Sequence, residues 1–283
     1  MSPVRYLARS GLAGVVLLIA ALLPSVAPAA SAPAFVLGVS ADGESCLLGG
    51  AIRGRITGPK ALAPLMRHGD LYQLLNLDKK VGIAPAIGIP RDESGEGGDC
   101  SGLWLQNLAL DPLRKKKSAI AIRLKPGEKF SGLPPLKRLN RNAPEYTKLL
   151  HAFLVGKGIK KPVVRITQVI GADFDGDGTQ DALINAVRTR RDRARRGDYS
   201  VVLLKLNRPD RPAPLVIQEE ITKTTSRFPG NLWVNVIIAV IDLDGDKKPE
   251  IVMEGQSHFG GGWELIRLVD GKIKHGLFCG CEG

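Results

Sequence analysis

Two short acidic segments limit this chain more than any other feature. "DFDGDGTQD" runs from Asp173 to Asp181, and "DLDGDKKPE" runs from Asp242 to Glu250. Both place carboxylates at relative positions 1, 3, 5 and 9: Asp173, Asp175, Asp177 and Asp181, then Asp242, Asp244, Asp246 and Glu250. Carboxylates crowded into one curled loop repel one another unless a cation sits among them. Acids make up 28 of 283 residues, so one such pattern arises by accident roughly 0.03 times in a chain of this length. Two copies start 69 residues apart, each after a long apolar run. That spacing marks an internal repeat.

The chemistry of the pattern points to calcium, one ion in each loop. Calcium is a hard cation that takes six to eight oxygens at roughly 2.3–2.6 Å. Alternate carboxylates in a tight loop converge on one point. The backbone carbonyl at position 7, from Thr179 or Lys248, adds a further oxygen. Gly176 and Gly245 permit the turn. Neither loop is an EF-hand, which needs Glu at position 12 and Gly at position 6. Position 12 is Ile184 or Met253, and position 6 is Gly178 or Lys247. Lys247 and Lys248 oppose a dication in the second loop, so the first is expected to bind more tightly.

The surrounding pattern reads as strands. Apolar or β-branched runs cover 163–172, 182–187, 199–206 and 215–221, and again 232–241, 250–256, 263–269 and 272–279. Asp270-Gly271 is a two-residue hairpin turn. Each repeat, about 163–221 and 232–281, is expected as four short antiparallel strands, with the acidic loop after the first. Two repeats are too few to close a ring, so two packed sheets are expected. The chain as a whole reads as mainly β with some α.

A D-x-D-G-D-x-x-x-[D/E] loop between two strands resembles the FG-GAP or VCBS repeat, the calcium-binding unit of integrin-α-like propellers. The resemblance covers about 163–281. It implies propeller-blade-like sheets, and it implies that the eight carboxylates named above are calcium ligands. It also implies a non-enzymatic role.

Ahead of the repeats, "RNAPEYTKLLHAFLVGKG" spaces Tyr146, Leu149, Leu150, Phe153 and Leu154 on one helical face over 141–158. Asn142 is the expected cap, with Pro144 in the first turn. Residues 30–140 read as a small mixed domain. Strands are expected at 34–39, 103–110 and 118–124, a broken helix at 60–76, and a basic, Pro-rich linker from 125 to 141. Residues 1–29 read as an export signal: Arg5 and Arg9, then the apolar run 11–23, then small residues that suit cleavage near Ala29. Thirteen apolar residues fall short of the ~20 that span a bilayer. The remainder is expected to be periplasmic or secreted, with no transmembrane segment.

Four cysteines in an exported chain favour disulfides, and Cys46, Cys100, Cys279 and Cys281 allow three pairings. At least one of Cys279 and Cys281 is expected to reach Cys46 or Cys100. A tight bond across Gly280 is the alternative. No CxxC or His-rich motif suggests zinc.

The formal charge is +12. A basic balance suggests polyanions, whether anionic lipid, cell-wall polymer or nucleic acid, and does not choose among them; the expected partner is an unidentified protein or an anionic envelope polymer. The densest basic run, "RTRRDRARRGD", holds Arg188, Arg190, Arg191, Arg193, Arg195 and Arg196 in a hairpin loop, with a second knot at 114–117. Guanidinium clusters grip phosphate and carboxylate polymers. Few aromatics interleave, which argues against a base-stacking platform or sequence-specific nucleic-acid recognition. There is no GxSxG, HExxH or GxxxxGK[ST], and the four histidines lie in no motif. The sequence therefore favours a non-enzymatic calcium-binding structural or interaction module of the cell envelope. An exported hydrolase and a polyanion binder acting through the Arg loop are the rival classes.

Overall fold

The computed structural model describes residues 34–40, 43, 45–93, 100, 103–111, 118–124, 130–189, 193–225, 232–258 and 260–281. The export signal, Arg190, Arg191, the basic knot at 114–117 and the start of the expected linker lie outside the described residues. The fold is mainly β, and its sheets are antiparallel.

The first half begins with β1 (Ala34–Val39), β2 (Ser45–Ile52) and β3 (Arg55–Thr57). A short helix α1 (Pro59–Leu62) and one 3-10 turn (Ala63–Leu65) follow. Then come β4 (Leu71–Asn76), β5 (Lys79–Asp92), β6 (Trp104–Leu108) and β7 (Ala119–Leu124). Hydrogen bonding runs β1-β7-β4-β5-β6-β2, and β1 also pairs with β2. That pairing closes a six-stranded barrel, with β3 attached to β2. Closure removes the exposed edges that an open sheet would present. Phe35, Leu47, Tyr72, Ala84, Leu108 and Ala121 come from six different strands and share one buried cluster, which fills the barrel.

This corrects the mixed domain expected over 30–140. The helix expected at 60–76 stops after one turn, because Pro64 and Gly69 interrupt it, and Leu71 onward is strand. β2 and β5 were hidden by Gly49-Gly50 in one and by Gly82, Pro85, Gly88 and Pro90 in the other. Pro90 falls in the bulge between Ile87 and Arg91, where a missing N–H costs no ladder bond.

The linker expected from 125 to 141 is packed where it is described. Phe130 and Leu133, Leu136, and Leu139 join three separate hydrophobic clusters. Lys137–Arg138 forms a short strand, β8. The expected helix is α2 (Pro144–Gly156). Its N-cap is Ala143, not Asn142, with no side-chain cap bond; Pro144 supplies the preset φ of the first turn. Tyr146, Leu150 and Leu154 are its buried face.

Next come β9 (Ile166–Ala172), β10 (Asp181–Arg188), β11 (Tyr199–Lys205) and β12 (Leu215–Ile221), then β13 (Val234–Ile241), β14 (Glu250–Gln256), β15 (Gly261–Val269) and β16 (Lys272–Cys281). Each set of four is a simple meander. β8 joins the edge of the first set, so that sheet has five strands instead of the expected four. Asp270 and Gly271 both have positive φ, 50° and 68°, as a two-residue hairpin turn requires.

Alternation along the strands stacks these layers. On the five-stranded sheet, Ile184, Ala186, Tyr199 and Val201 pack against α2, while Leu183, Val202 and Leu204 face the four-stranded sheet. On the four-stranded sheet, Ile251, Met253 and Ile266 face the five-stranded sheet, while Val252, Trp263 and Leu265 face the barrel. Val36, Ile120 and Ile122 meet them from the barrel's outer surface. The order is helix, five-stranded sheet, four-stranded sheet, barrel. Two-sided burial explains why β1, residues 119–122 of β7 and residues 251–253 of β14 read as apolar runs without alternation. At Gly38 a Cβ would collide with the Trp263 indole, so that glycine lets the four-stranded sheet approach the barrel wall.

Both disulfides cross this last interface. Cys46 of β2 bonds Cys279 of β16, and Cys100 bonds Cys281. No described cysteine is free. Two disulfides point to maturation in an oxidising, exported location. Among the described residues no helix is long and apolar enough to cross a membrane.

Candidate metal centre

Each acidic loop joins the first and second strands of its meander. Position 2 anchors it: Phe174 and Leu243 are apolar and buried, so each loop is pinned to the core beneath it. Sequence reading passed over this position, although an apolar residue between two acids was a visible signal.

The two loops close by the same hydrogen bonds. In the first, Gly176 N donates to Asp173 Oδ1 (2.8 Å), Gly178 N to Asp173 Oδ2 (2.8 Å) and Thr179 N to Asp177 Oδ1 (2.7 Å). In the second, Gly245 N donates to Asp242 Oδ1 (2.8 Å), Lys247 N to Asp242 Oδ2 (3.2 Å) and Lys248 N to Asp246 Oδ1 (2.7 Å). Position 9 then clasps position 2: Phe174 N donates to Asp181 Oδ2 (2.9 Å), and Leu243 N to Glu250 Oε2 (2.7 Å). Backbone conformation matches too. Gly176 and Gly245 have φ 77° and 81°, and Gly178 has φ 83° where Lys247 has φ 69°. A lysine held in the left-handed region shows that the loop geometry overrides the residue's own preference.

The carboxylates that converge are not the same in the two loops. In the first, one oxygen each from Asp173, Asp175 and Asp177 lie within 4.8 Å of one another. In the second, the converging set is Asp242, Asp244 and Glu250. Position 9 accounts for the difference. Asp181 spends its second oxygen on Asn207 N (2.8 Å) and stays outside the cluster, while Glu250 has one more methylene and reaches in. Asp246 stays outside the second set. Thr179 and Lys248, expected to offer carbonyls, lie within their loops beside the clusters.

Burial and neighbouring charge set the electrostatics. Glu250 is buried, and its pKa is pushed up to about 8 by desolvation first; the Leu243 amide bond opposes the shift, and Asp244 adds to it. Asp181 and Asp244 are also raised, again mainly by burial. Each position-3 acid has a guanidinium nearby. Arg208 Nη1 lies 3.3 Å from Asp175 Oδ2, and Arg267 Nη1 lies 3.9 Å from Asp244 Oδ2. The stem of Lys248 lies against Gly176 of the first loop, so this lysine's charge bears on both loops.

A donor set made only of oxygens, three of them within 4.8 Å, suits a hard cation. Oxygens that each lie 2.3–2.6 Å from a common ion are no farther apart than about 5 Å, which the clusters meet.

The Arg loop is partly tied down. Arg188 Nη1 donates to Gly197 O (3.0 Å). Asp198 is buried and accepts from Arg195 N (2.9 Å), and Ala194 is buried. Arg193 and Arg196 are exposed. Compared with protein-family models, curated proteins and solved structures, the chain finds no match.

Proposed function

We propose that this chain is an exported calcium-binding module of the cell envelope, structural or interactive and not catalytic. The observation that carries the reading is the paired loop geometry: two loops of one hydrogen-bonding scheme, each gathering three carboxylate oxygens within 4.8 Å. Asp173, Asp175 and Asp177 would hold one ion, with Asp181 and the Thr179 carbonyl as further donors. Asp242, Asp244 and Glu250 would hold the other, with Asp246 and the Lys248 carbonyl. Bound calcium would neutralise the crowded carboxylates and lock each strand connection. The two four-strand meanders, each with its loop after the first strand, support the likeness to FG-GAP or VCBS blades. In both loops the backbone N–H groups fix the acids, which favours a rigid cage over a proton relay. The basic balance suits an anionic envelope polymer as partner.

The test is thermal unfolding of the chain in chelator and in millimolar calcium. A ligand that binds only the native state at one hundred times its dissociation constant stabilises by about 2.7 kcal/mol. Calcium should raise the Tm by several degrees over chelator, and magnesium should do less. Superimposable curves would remove the structural-calcium reading.

A further inference from the structure

A cleft of about 740 Å³ opens between the C-terminal end of α2 and the ends of β10 and β12. Its charged lining is entirely basic: Lys157, Lys160, Lys161, Arg188, Arg196 and Lys223. Three separate stretches of sequence supply them, so no single basic run reveals the site. Lys157 is paired with Glu219 of β12 at 2.5 Å. Among the described residues, Lys160, Lys161, Arg196 and Lys223 have no acidic partner. The chain holds these like charges close together against their mutual repulsion.

The last turn of α2 supplies no anion site of its own. Its carbonyls at Phe153, Leu154 and Val155 are taken by the amides of Lys157, Ile159 and Gly158. They leave a partial negative charge nearby. The attraction for an anion therefore comes from the side chains. Ile159 and Ile221 give the cleft apolar walls, and low-dielectric walls focus the field of the charges around them. The volume lies in the range of small-molecule sites, roughly 300–1,000 Å³.

We propose that this cleft binds a small, multiply charged phosphorylated ligand, held mainly by Lys160, Lys161, Lys223 and Arg196. Ammonium groups act as compact point charges for phosphate, and the guanidinium adds a planar fork. The site is distinct from the acidic loops and does not depend on the calcium reading.

Calorimetric titration of the full chain with tripolyphosphate at low salt is the experiment. The parent should bind at one site, and affinity should fall steeply as salt rises. The triple variant Lys160→Ser, Lys161→Ser, Lys223→Ser should lose at least tenfold. These lysines are exposed, so its melting curve should match the parent's. A control, Lys79→Ser, Lys80→Ser, Lys272→Ser, removes the same charge from exposed positions on the barrel and β16 and should stay within twofold of the parent. Phosphatidylglycerol vesicles that displace tripolyphosphate from the parent would identify a lipid headgroup as the source of the phosphate; failure to displace it would identify a soluble one. No binding by the parent would overturn the proposal, as would equal losses in the cleft and control variants.

Discussion

At position 9 of the second loop, Glu250 is 1% exposed, with one oxygen bonded to the Leu243 amide. Its folded pKa of about 8 stands above the ordinary 4.5 because burial penalises the charged form. Between those two values the metal-free folded chain keeps a proton that the unfolded chain has lost. Stability in chelator should therefore fall as pH rises from about 4.5 to about 8, by an amount on the order of a few kcal/mol, and level off above that. Denaturant unfolding at pH 5 and pH 8 checks this. Glu250→Gln should flatten the dependence, and an unchanged slope in that variant would assign the effect elsewhere. A second residue-scale test concerns position 6. A Cβ at Gly178 would meet nothing within 4 Å, so backbone strain alone decides the cost of a side chain there. Gly178→Ala should destabilise by about 1 kcal/mol, and Lys247→Gly should relieve part of a similar strain. Urea midpoints at constant slope measure both.

The two loops are alike as elements but differ in which carboxylates converge. Exposed or half-buried Asp173, Asp175 and Asp177 in the first loop contrast with a set that includes buried Glu250 in the second. Below about pH 8 a proton held on Glu250 would compete with any cation entering the second loop. Asp244→Ala, which leaves the first loop intact, is the reference for calcium titrations from pH 8 to pH 6. Asp175→Ala, which leaves the second, should weaken by up to about tenfold per pH unit over that range. Parallel pH profiles for the two variants would show that Glu250 does not govern the difference. Lys248 leans on Gly176 of the first loop, so its charge opposes a cation in both loops and separates them less than their sequences imply. Much at this scale was legible in the residues. The eight strands of the two meanders carry β-branched runs bounded by turn chemistry, and α2 has a clean apolar stripe. β2 and β5 were not legible, because glycines and prolines that suit a curved barrel wall also read as turns. Lys137–Arg138 is strand only because β9 offers it an edge, a tertiary cause that two charged residues cannot announce. Asp181 and Glu250 look equivalent in sequence, and only the geometry separates the clasp from the donor.

For the whole molecule, the four-stranded sheet is the common wall between the five-stranded sheet and the barrel. Cys46–Cys279 and Cys100–Cys281 both cross its barrel side, closing sequence separations of 233 and 181 residues. Loops of that size confine the unfolded chain strongly, so each bond should contribute about 2–4 kcal/mol. Cys46→Ala with Cys279→Ala should lower stability by that order, read as a shift in urea midpoint. The same connectivity makes the molecule a covalent ring. A protease that cuts any single peptide bond between Cys100 and Cys279, the hairpin around Arg193 included, opens the ring without releasing a fragment. The nicked protein would migrate as a single species of full mass on a denaturing gel until a thiol reductant separates its two pieces. Surface cleavage would then leave the acidic loops and the basic cleft on one linked body, so damage outside the compartment of synthesis need not mean dispersal.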